Sequence, residues 1–361
     1  MVKESIDIPN EWETAAASLI RQETRTCLII GKGGSGKTTL CKFLVQKLTE
    51  ARKCAGYVDS DVGQSTFGPP ATVGLKVFHR PETIYDQTVP TAIHFVGNTN
   101  PLGFLLQTLA AVKAMAEESY RQGAEITIVD TTGFIDGPVA RVLKYHKMEM
   151  LQPQRIIALQ AEDEIEHLLK GYEKTGGKIL RLPCSARANN RSQAERRKYR
   201  QEKFKEYFKT AEKVTCSLDK LVFPSCIIGT GQKIIPGELP DDDCRSKLDK
   251  IYLEKCGTEL LALSDYFNHS LPVERLKTFF GVSSIIHITR HELKNLLVGL
   301  SDKNNRTLGI GAIIDLDISK NQISFFTPVK NCDTLSVVHF GALKIEHDGR
   351  ESEKLRVIRY I

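Results

Sequence analysis

From the N-terminus the chain alternates short apolar runs with longer segments of helical period. Trp12, Ala15, Ala16, Leu19 and Ile20 fall near one helical face, so residues 1–25 are expected to form a helical preface. Residues 27–30 read as a buried strand running into a glycine-rich loop, and over 38–48 the leucines at 40, 44 and 48 share one helix face. Further strand-like runs stand at 55–58, 93–96, 126–129 and 156–159, with helices predicted over 102–121 and 138–147. Such alternation implies an α/β fold built on a mainly parallel sheet.

After residue 213 the texture changes. Pro, Gly and acidic residues cluster at 236–243, and a less regular stretch follows to about 280. Strand-like runs with turn punctuation then appear at 285–289, 296–300, 308–315, 323–327, 335–340 and 355–358. The expected organisation is therefore a preface over 1–25, an α/β domain over 26–235, a connecting region over 236–280 and a smaller C-terminal β-rich domain over 281–361.

Composition narrows this picture. At 361 residues, 41% apolar and 26% charged, the chain suffices for two or three domains with sizeable cores, which rules out global disorder. No stretch approaches the roughly 18–20 apolar residues needed to cross a bilayer, and the first residues are polar, so no membrane association and a cytoplasmic location are expected. The nine cysteines are scattered without a Cys-x-x-Cys pair. This predicts reduced thiols rather than a disulfide framework and argues against zinc. His287 and His291 are four apart but lack the glutamate of a zinc-protease helix, which favours a structural role.

The net charge of +6 is unevenly placed: residues 187–213 hold ten basic and four acidic side chains, enough to account for all of it. A basic surface for an acidic partner is expected there, the alternative being a solvated helix with Glu-Lys pairs.

Gly31-Lys32-Gly33-Gly34-Ser35-Gly36-Lys37-Thr38, with Thr39 after it, fits G-x-x-x-x-G-K-[ST] between a strand and an amphipathic helix. Glycines let successive amides turn toward one centre and the helix N-terminus adds positive potential, so the loop cradles the phosphates of a nucleoside triphosphate. Lys37 is expected to reach the β and γ phosphates and Thr38 to coordinate Mg²⁺. A second strand ends in Asp59-Ser60-Asp61, and a third in Asp130-Thr131-Thr132-Gly133. At the C-terminal edge of a parallel sheet, where ligands bind, such carboxylates hold Mg²⁺ or take a proton from an attacking hydroxyl. Asp59 and Asp130 are the expected metal residues together with Thr38. Turn-forming or capping roles are the alternative.

Asp61-Val62-Gly63-Gln64 with Gly68-Pro69-Pro70, then Phe95-Val96-Gly97-Asn98-Thr99-Asn100-Pro101, then Thr132-Gly133-Phe134-Ile135-Asp136-Gly137, resembles the polynucleotide 5′-hydroxyl kinase family. That family includes kinases of eukaryotic messenger-RNA 3′-end processing, tRNA splicing and ribosomal-RNA processing, with shorter archaeal and bacterial relatives. Arg191-Ser192, Arg196-Arg197 and Arg200 resemble its arginine-rich lid, expected over 185–213. The resemblance implies a phosphate-loop kinase that moves the ATP γ-phosphate to the 5′-hydroxyl end of RNA or DNA, with Mg²⁺. It makes Lys37, Asp61, Arg196 and Arg200 catalytic, and assigns the terminal nucleotides to Gln64, Asn98, Thr99, Pro101, Thr132, Gly133, Phe134 and Arg191. Phe134 stands where the family often has tryptophan, and offers a smaller stacking platform.

The loop also fits the deviant phosphate loop of dimeric ATPases that act as switches or carriers, in which Lys32 would reach across the dimer. That class explains neither Pro69-Pro70 nor the lid. A nucleic-acid-binding ATPase without kinase activity is a third alternative. The lack of an Asn-Lys-x-Asp guanine signature favours ATP and leaves GTP open, as do oligomeric state and the choice between RNA and DNA.

Overall fold

The protein is represented by a computed structural model that describes residues 8–22, 24–81, 89–185, 191–224, 228–265 and 271–354. The expected strand at 355–358, Cys226, and residues 186–190 of the lid lie outside them. The chain forms two compact units, Met1–Lys203 and Phe204–Ile361.

In the first unit, helix α1 (Asn10–Arg21) precedes β1 (Thr26–Gly31), α2 (Lys37–Glu50), β2 (Ala55–Ser60), β3 (Thr72–Phe78), β4 (Ala92–Phe95), α3 (Leu105–Arg121) and β5 (Ile126–Thr131). Then come α4 (Gly137–Leu151), β6 (Arg155–Gln160), α5 (Glu166–Lys174), β7 (Ile179–Pro183) and α6 (Gln193–Tyr207), whose last turns carry the chain into the second unit. The strands of the first unit lie in the order β4-β3-β2-β5-β1-β6-β7. From β2 to β7 all neighbours are parallel. The β2–β5 register sets Asp59 beside Asp130 and Ser60 beside Thr131. β3 and β4 are antiparallel additions, so the run at 93–96 joins the sheet by a hairpin-like meander rather than a crossover. No strand was expected at 72–78, because Gly74 and Lys76 interrupt its apolar run; its Val73, Leu75 and Val77 are nevertheless buried.

The preface is part of this unit's core. Trp12, Ala15, Ala16 and Leu19 are buried with Leu40, Leu44, Tyr57 and Ile128, and the Trp12 indole N–H donates to Pro183 O at 3.2 Å. Truncating a buried tryptophan costs about 3–5 kcal/mol, so α1 belongs to the fold and is not an appendage.

The second unit begins earlier than expected. β8 (Glu212–Ser217) pairs antiparallel with β15 (Gln322–Thr327), a partner more than a hundred residues away that no local pattern announces. Around them, β13 (Leu296–Ser301), β14 (Thr307–Asp317), β16 (Val337–Ile345) and β17 (Glu351–Lys354) build an antiparallel array. The stretch expected to connect domains instead supplies β10 (Tyr252–Cys256) and β11 (Glu259–Ser264), which form a second sheet with β12 (Ser284–Thr289) and with β9 (Gln232–Ile234) from the end of the expected α/β domain. His287 lies on β12 with its Nε2 2.8 Å from Ser264 Oγ, whereas His291 lies on the helical turn Arg290–Leu293. The two do not share one helix face.

One cysteine expectation is overturned. Cys216 on β8 and Cys332 are joined by a disulfide, with Cα atoms 6.1 Å apart and a sequence separation of 116. They meet because the turn Cys332–Thr334 after β15 lies against β8, which spacing alone cannot reveal. Cys27, Cys41, Cys54, Cys184, Cys244 and Cys256 are free thiols. Because a cross-link over so long a loop restricts the unfolded chain, reduction or Cys216→Ser should destabilise the protein by about 2–4 kcal/mol. Urea unfolding with and without dithiothreitol reads this directly, and the serine variant should be insensitive to the reductant.

Candidate active site

The phosphate loop leaves β1 and enters α2, as its sequence predicts. Gly36, the residue before the helix, has φ of 95°, a left-handed conformation that suits glycine and lets the chain turn into the first helical amides. Lys37 is buried, and its ammonium donates to Lys32 O at 2.6 Å, curling over the loop. Burial pulls the Lys37 pKa down, while Asp130 and Asp61 draw it back up.

Beneath the loop, Thr38 Oγ1 donates to Asp130 Oδ2 at 2.7 Å, and the Tyr57 hydroxyl donates to the same oxygen at 3.1 Å. Asp130 Oδ1 is buried and has no hydrogen-bond partner among the described residues. An orphaned carboxylate oxygen next to a hydroxyl fits a hard cation that takes few protein oxygens and completes its shell with phosphate and water. Thr38 and Asp130 are thus the pair suited to Mg²⁺.

The structure gives Asp59 a different task from the expected metal ligation. Asp59 Oδ1 accepts from Asp61 N at 3.0 Å, and Oδ2 accepts from Thr66 N, so both oxygens hold the turn that follows β2. Asp61 Oδ1 in turn accepts from Gly63 N and Gln64 N at 3.0 and 3.1 Å, while its carboxylate faces the cleft. Burial, then the charges of Asp130 and Asp61, push the Asp59 carboxyl up to about 8; bonds from Thr66 and Asp61 offset part of this. Asp130 is also raised by burial, against Lys37 and Thr38.

A cleft of about 820 Å³ opens above these groups. From the expected set it is lined by Gly33, Gly34, Gly36, Lys37, Thr38, Thr39, Asp61, Gln64, Thr99, Pro101, Thr132, Gly133, Phe134, Arg191, Arg196 and Arg200. Gly31, Lys32, Ser35, Asp59, Asn98 and Asp130 lie outside the lining. Asn98 is buried and shapes its own loop, Oδ1 accepting from Asn100 N at 3.3 Å. Gly133 has a steric reason: a Cβ there would stand 2.4 Å from the Gly33 backbone, so only glycine lets the loop after β5 touch the phosphate loop.

The lid segment is a helix with a working face. Ser192 and Glu195 exchange hydrogen bonds of 2.7–3.3 Å in a capping box that starts it. Arg196, Tyr199, Arg200 and Lys203, spaced on one face, are half-buried and line the cleft, whereas Arg197, Lys198 and Lys205 are exposed. This separates α6 from a uniformly solvated helix. Tyr199 was not anticipated. Its hydroxyl donates to Ser65 O at 2.9 Å, and the Arg191 guanidinium stacks over its ring at 4.8 Å. Its position three after Arg196 was the available signal. Lys42 and Lys203 are further cleft residues that pattern reading missed.

Comparison with known proteins fits this site. A family model described as mRNA cleavage and polyadenylation factor CLP1 P-loop matches residues 31–210. The polyribonucleotide 5′-hydroxyl-kinase of Methanocaldococcus jannaschii is 31% identical over 93% of this chain and 92% of its own length. The chain belongs to the polynucleotide 5′-hydroxyl kinase family. A second member of this kinase family, from Pyrococcus horikoshii, is 28% identical over 96% of this chain and 93% of its own. Among solved structures, a Clp1p–Pcf11p complex shares the fold, with a TM-score of 0.58 at 13% identity over 92% of this chain and 78% of that one.

The carboxyl shifts make this kinase-family site sensitive to pH. Asp59 and Asp130 hold protons in the ligand-free fold at pH values where unfolded carboxyls are ionised, so stability should fall as pH rises from the ordinary carboxylate range toward about 8. Cation and nucleotide binding favours the ionised forms and should release protons. Affinity for Mg²⁺-nucleotide should therefore climb as pH rises through the raised range of Asp130 and then flatten. Titration calorimetry in two buffers of different ionisation enthalpy measures the proton release.

Proposed function

We propose that this protein is an ATP-dependent polynucleotide kinase that phosphorylates the 5′-hydroxyl ends of RNA, with Mg²⁺ held by Thr38 and Asp130. The observation that carries the reading is convergence: the phosphate loop, the Asp61 carboxylate and the lid residues Arg196 and Arg200 line one cleft. RNA is preferred over DNA on the ground that the relatives are named polyribonucleotide kinases. Their names also favour kinase over dimeric switch, and Lys32 is exposed and outside the cleft lining. ATP is the proposed donor, and the cytoplasm the proposed setting.

The chemistry is a displacement at the γ-phosphorus. The substrate 5′-oxygen forms the new O–P bond, the bond to the bridging oxygen of ADP breaks, and the hydroxyl proton passes to Asp61. A 5′-hydroxyl is a weak nucleophile, so a carboxylate that orients it and accepts its proton lowers the barrier as the bond forms. The amides of Gly63 and Gln64 hold Asp61 in place for this. Lys37 and the guanidinium groups of Arg196 and Arg200 stabilise charge on the migrating group, the planar fork of arginine matching phosphoryl oxygens better than an ammonium does. Bound Mg²⁺ supplies neutralisation of the phosphate oxygens. Phe134 offers a ring face to a terminal base.

Incubation with γ-labelled ATP and matched 5′-hydroxyl and 5′-phosphate oligonucleotides should label only the former, RNA more than DNA. Asp61→Asn should lose phosphorylation by orders of magnitude with nucleotide affinity changed by less than about tenfold, or about 1.4 kcal/mol. Normal transfer by that variant would remove Asp61 as the base. Arg196→Lys and Arg200→Lys should each lower the single-turnover rate more than they weaken oligonucleotide binding; equal losses would mean a simple grip on the strand.

A further inference from the structure

Two lysines that play no part in this chemistry sit directly under it. Lys144 and Lys147, three apart on one face of α4, are 0% and 1% exposed. Taking an ammonium out of water costs several kcal/mol, and a helix that only had to pack on a sheet would turn apolar side chains inward. Here both ammonium groups are aimed at the ends of the strands that carry the site.

Lys144 Nζ donates to Thr131 Oγ1 at 2.9 Å, to Thr132 O at 2.6 Å and more distantly to Thr132 Oγ1 at 3.4 Å, one acceptor for each of its three protons. Thr131 Oγ1 itself donates to Ile29 O on β1 at 2.8 Å. Lys147 Nζ donates to Ser60 Oγ at 2.8 Å, and Ser60 Oγ donates to Asp130 O at 2.6 Å. Through these bonds one face of α4 joins β1, β2 and β5 where the chain leaves for the phosphate loop, the Asp61 turn and the Thr132–Phe134 loop. The lysines also oppose the charge of the carboxylates nearby. Burial pulls both ammonium groups down, Lys147 to about 8, while Asp61 and Asp130 act in the other direction on both.

We propose that Lys144 and Lys147 are positioning residues for phosphoryl transfer, holding the three strand ends in one rigid floor so that Asp61 and the Thr132–Phe134 loop keep their places relative to the phosphate loop. The proposal rests on the kinase function argued above. Near-attack geometry is steep: a shift of about 1 Å in a catalytic group costs on the order of a hundredfold in rate. Such a floor resists these shifts because Lys144 is oriented by acceptors on Thr131 and Thr132 and Lys147 by Ser60 Oγ, whereas an apolar side chain of the same length packs without direction.

The test uses the full chain with Lys144→Met and Lys147→Met, which keep length and remove charge and hydrogen bonds. Removing one buried charge while its acceptors and the nearby carboxylates remain costs stability, so kcat is measured at a temperature where each variant is fully folded. There kcat for 5′-hydroxyl RNA should fall about 10- to 100-fold while KM for ATP stays within about threefold. A folded variant with unchanged kcat, or one that loses only stability, would overturn the proposal. Should both methionine variants fail to fold, Ser60→Ala removes only the hydroxyl between Lys147 and Asp130 O; it should lower kcat about 3- to 10-fold without altering KM, and wild-type kcat there also overturns the proposal. Wild-type protein is assayed alongside. If it transfers no label to 5′-hydroxyl RNA, the kinase function itself fails and the proposal goes with it; if it transfers and the variants match it, only the role of the lysines fails.

Discussion

The parallel register between β2 and β5 sets Asp59 against Asp130 at the buried end of the sheet, and the surroundings are arranged to make two adjacent carboxylates tolerable. Thr38 and Tyr57 donate to Asp130, backbone amides of the Asp61 turn donate to Asp59, and the ammonium of Lys37 lies close enough to draw on Asp130 and Asp61. Burial still raises both carboxyls, and these donors offset part of that rise. With them, the strand ends become a stiff, polar platform from which three loops rise toward one cleft.

That platform explains the division of labour among the acidic residues. Asp59 is spent inward, on the turn that holds Asp61; Asp130 is shared between Thr38 and an unpartnered oxygen suited to a cation; Asp61 alone presents its carboxylate to the cleft. The loop after β5 approaches the phosphate loop so closely that Gly133 admits no side chain. A nucleotide-dependent movement of one loop must therefore be felt by the other, since close-packed backbones do not deform independently.

The lid segment shows how a charge-rich helix acquires two unlike faces. Its basic residues divide by helical period into a half-buried face of Arg196, Tyr199, Arg200 and Lys203 and an exposed remainder. Tyr199 anchors that face to Ser65, next to the turn that Asp59 and Asp61 organise, so guanidinium groups and carboxylate are placed by the same local structure. In a cleft lined with cations, a polyanionic substrate is attracted over some distance before it is gripped.

How much of this was legible beforehand follows from how local each feature is. The phosphate loop, β1, α2 and the aspartate closing β5 were readable because a strand, a run of glycines and a helix are contiguous and carry their period in a few residues. The lid was readable as a charged helical segment, and its cleft-facing arginines by resemblance. What stayed hidden depends on distant pairing: β3 and the antiparallel bonds it makes with β2 and β4, the start of the second unit within α6 and the pairing of β8 with β15, and the Cys216–Cys332 disulfide. The sequence by itself determined where the phosphate loop lies and which residues are candidates for its chemistry. The tertiary structure decided which of them face the cleft, turned Asp59 inward, and buried Lys144 and Lys147, because a side chain's solvent exposure is set by what packs against it and not by its own polarity.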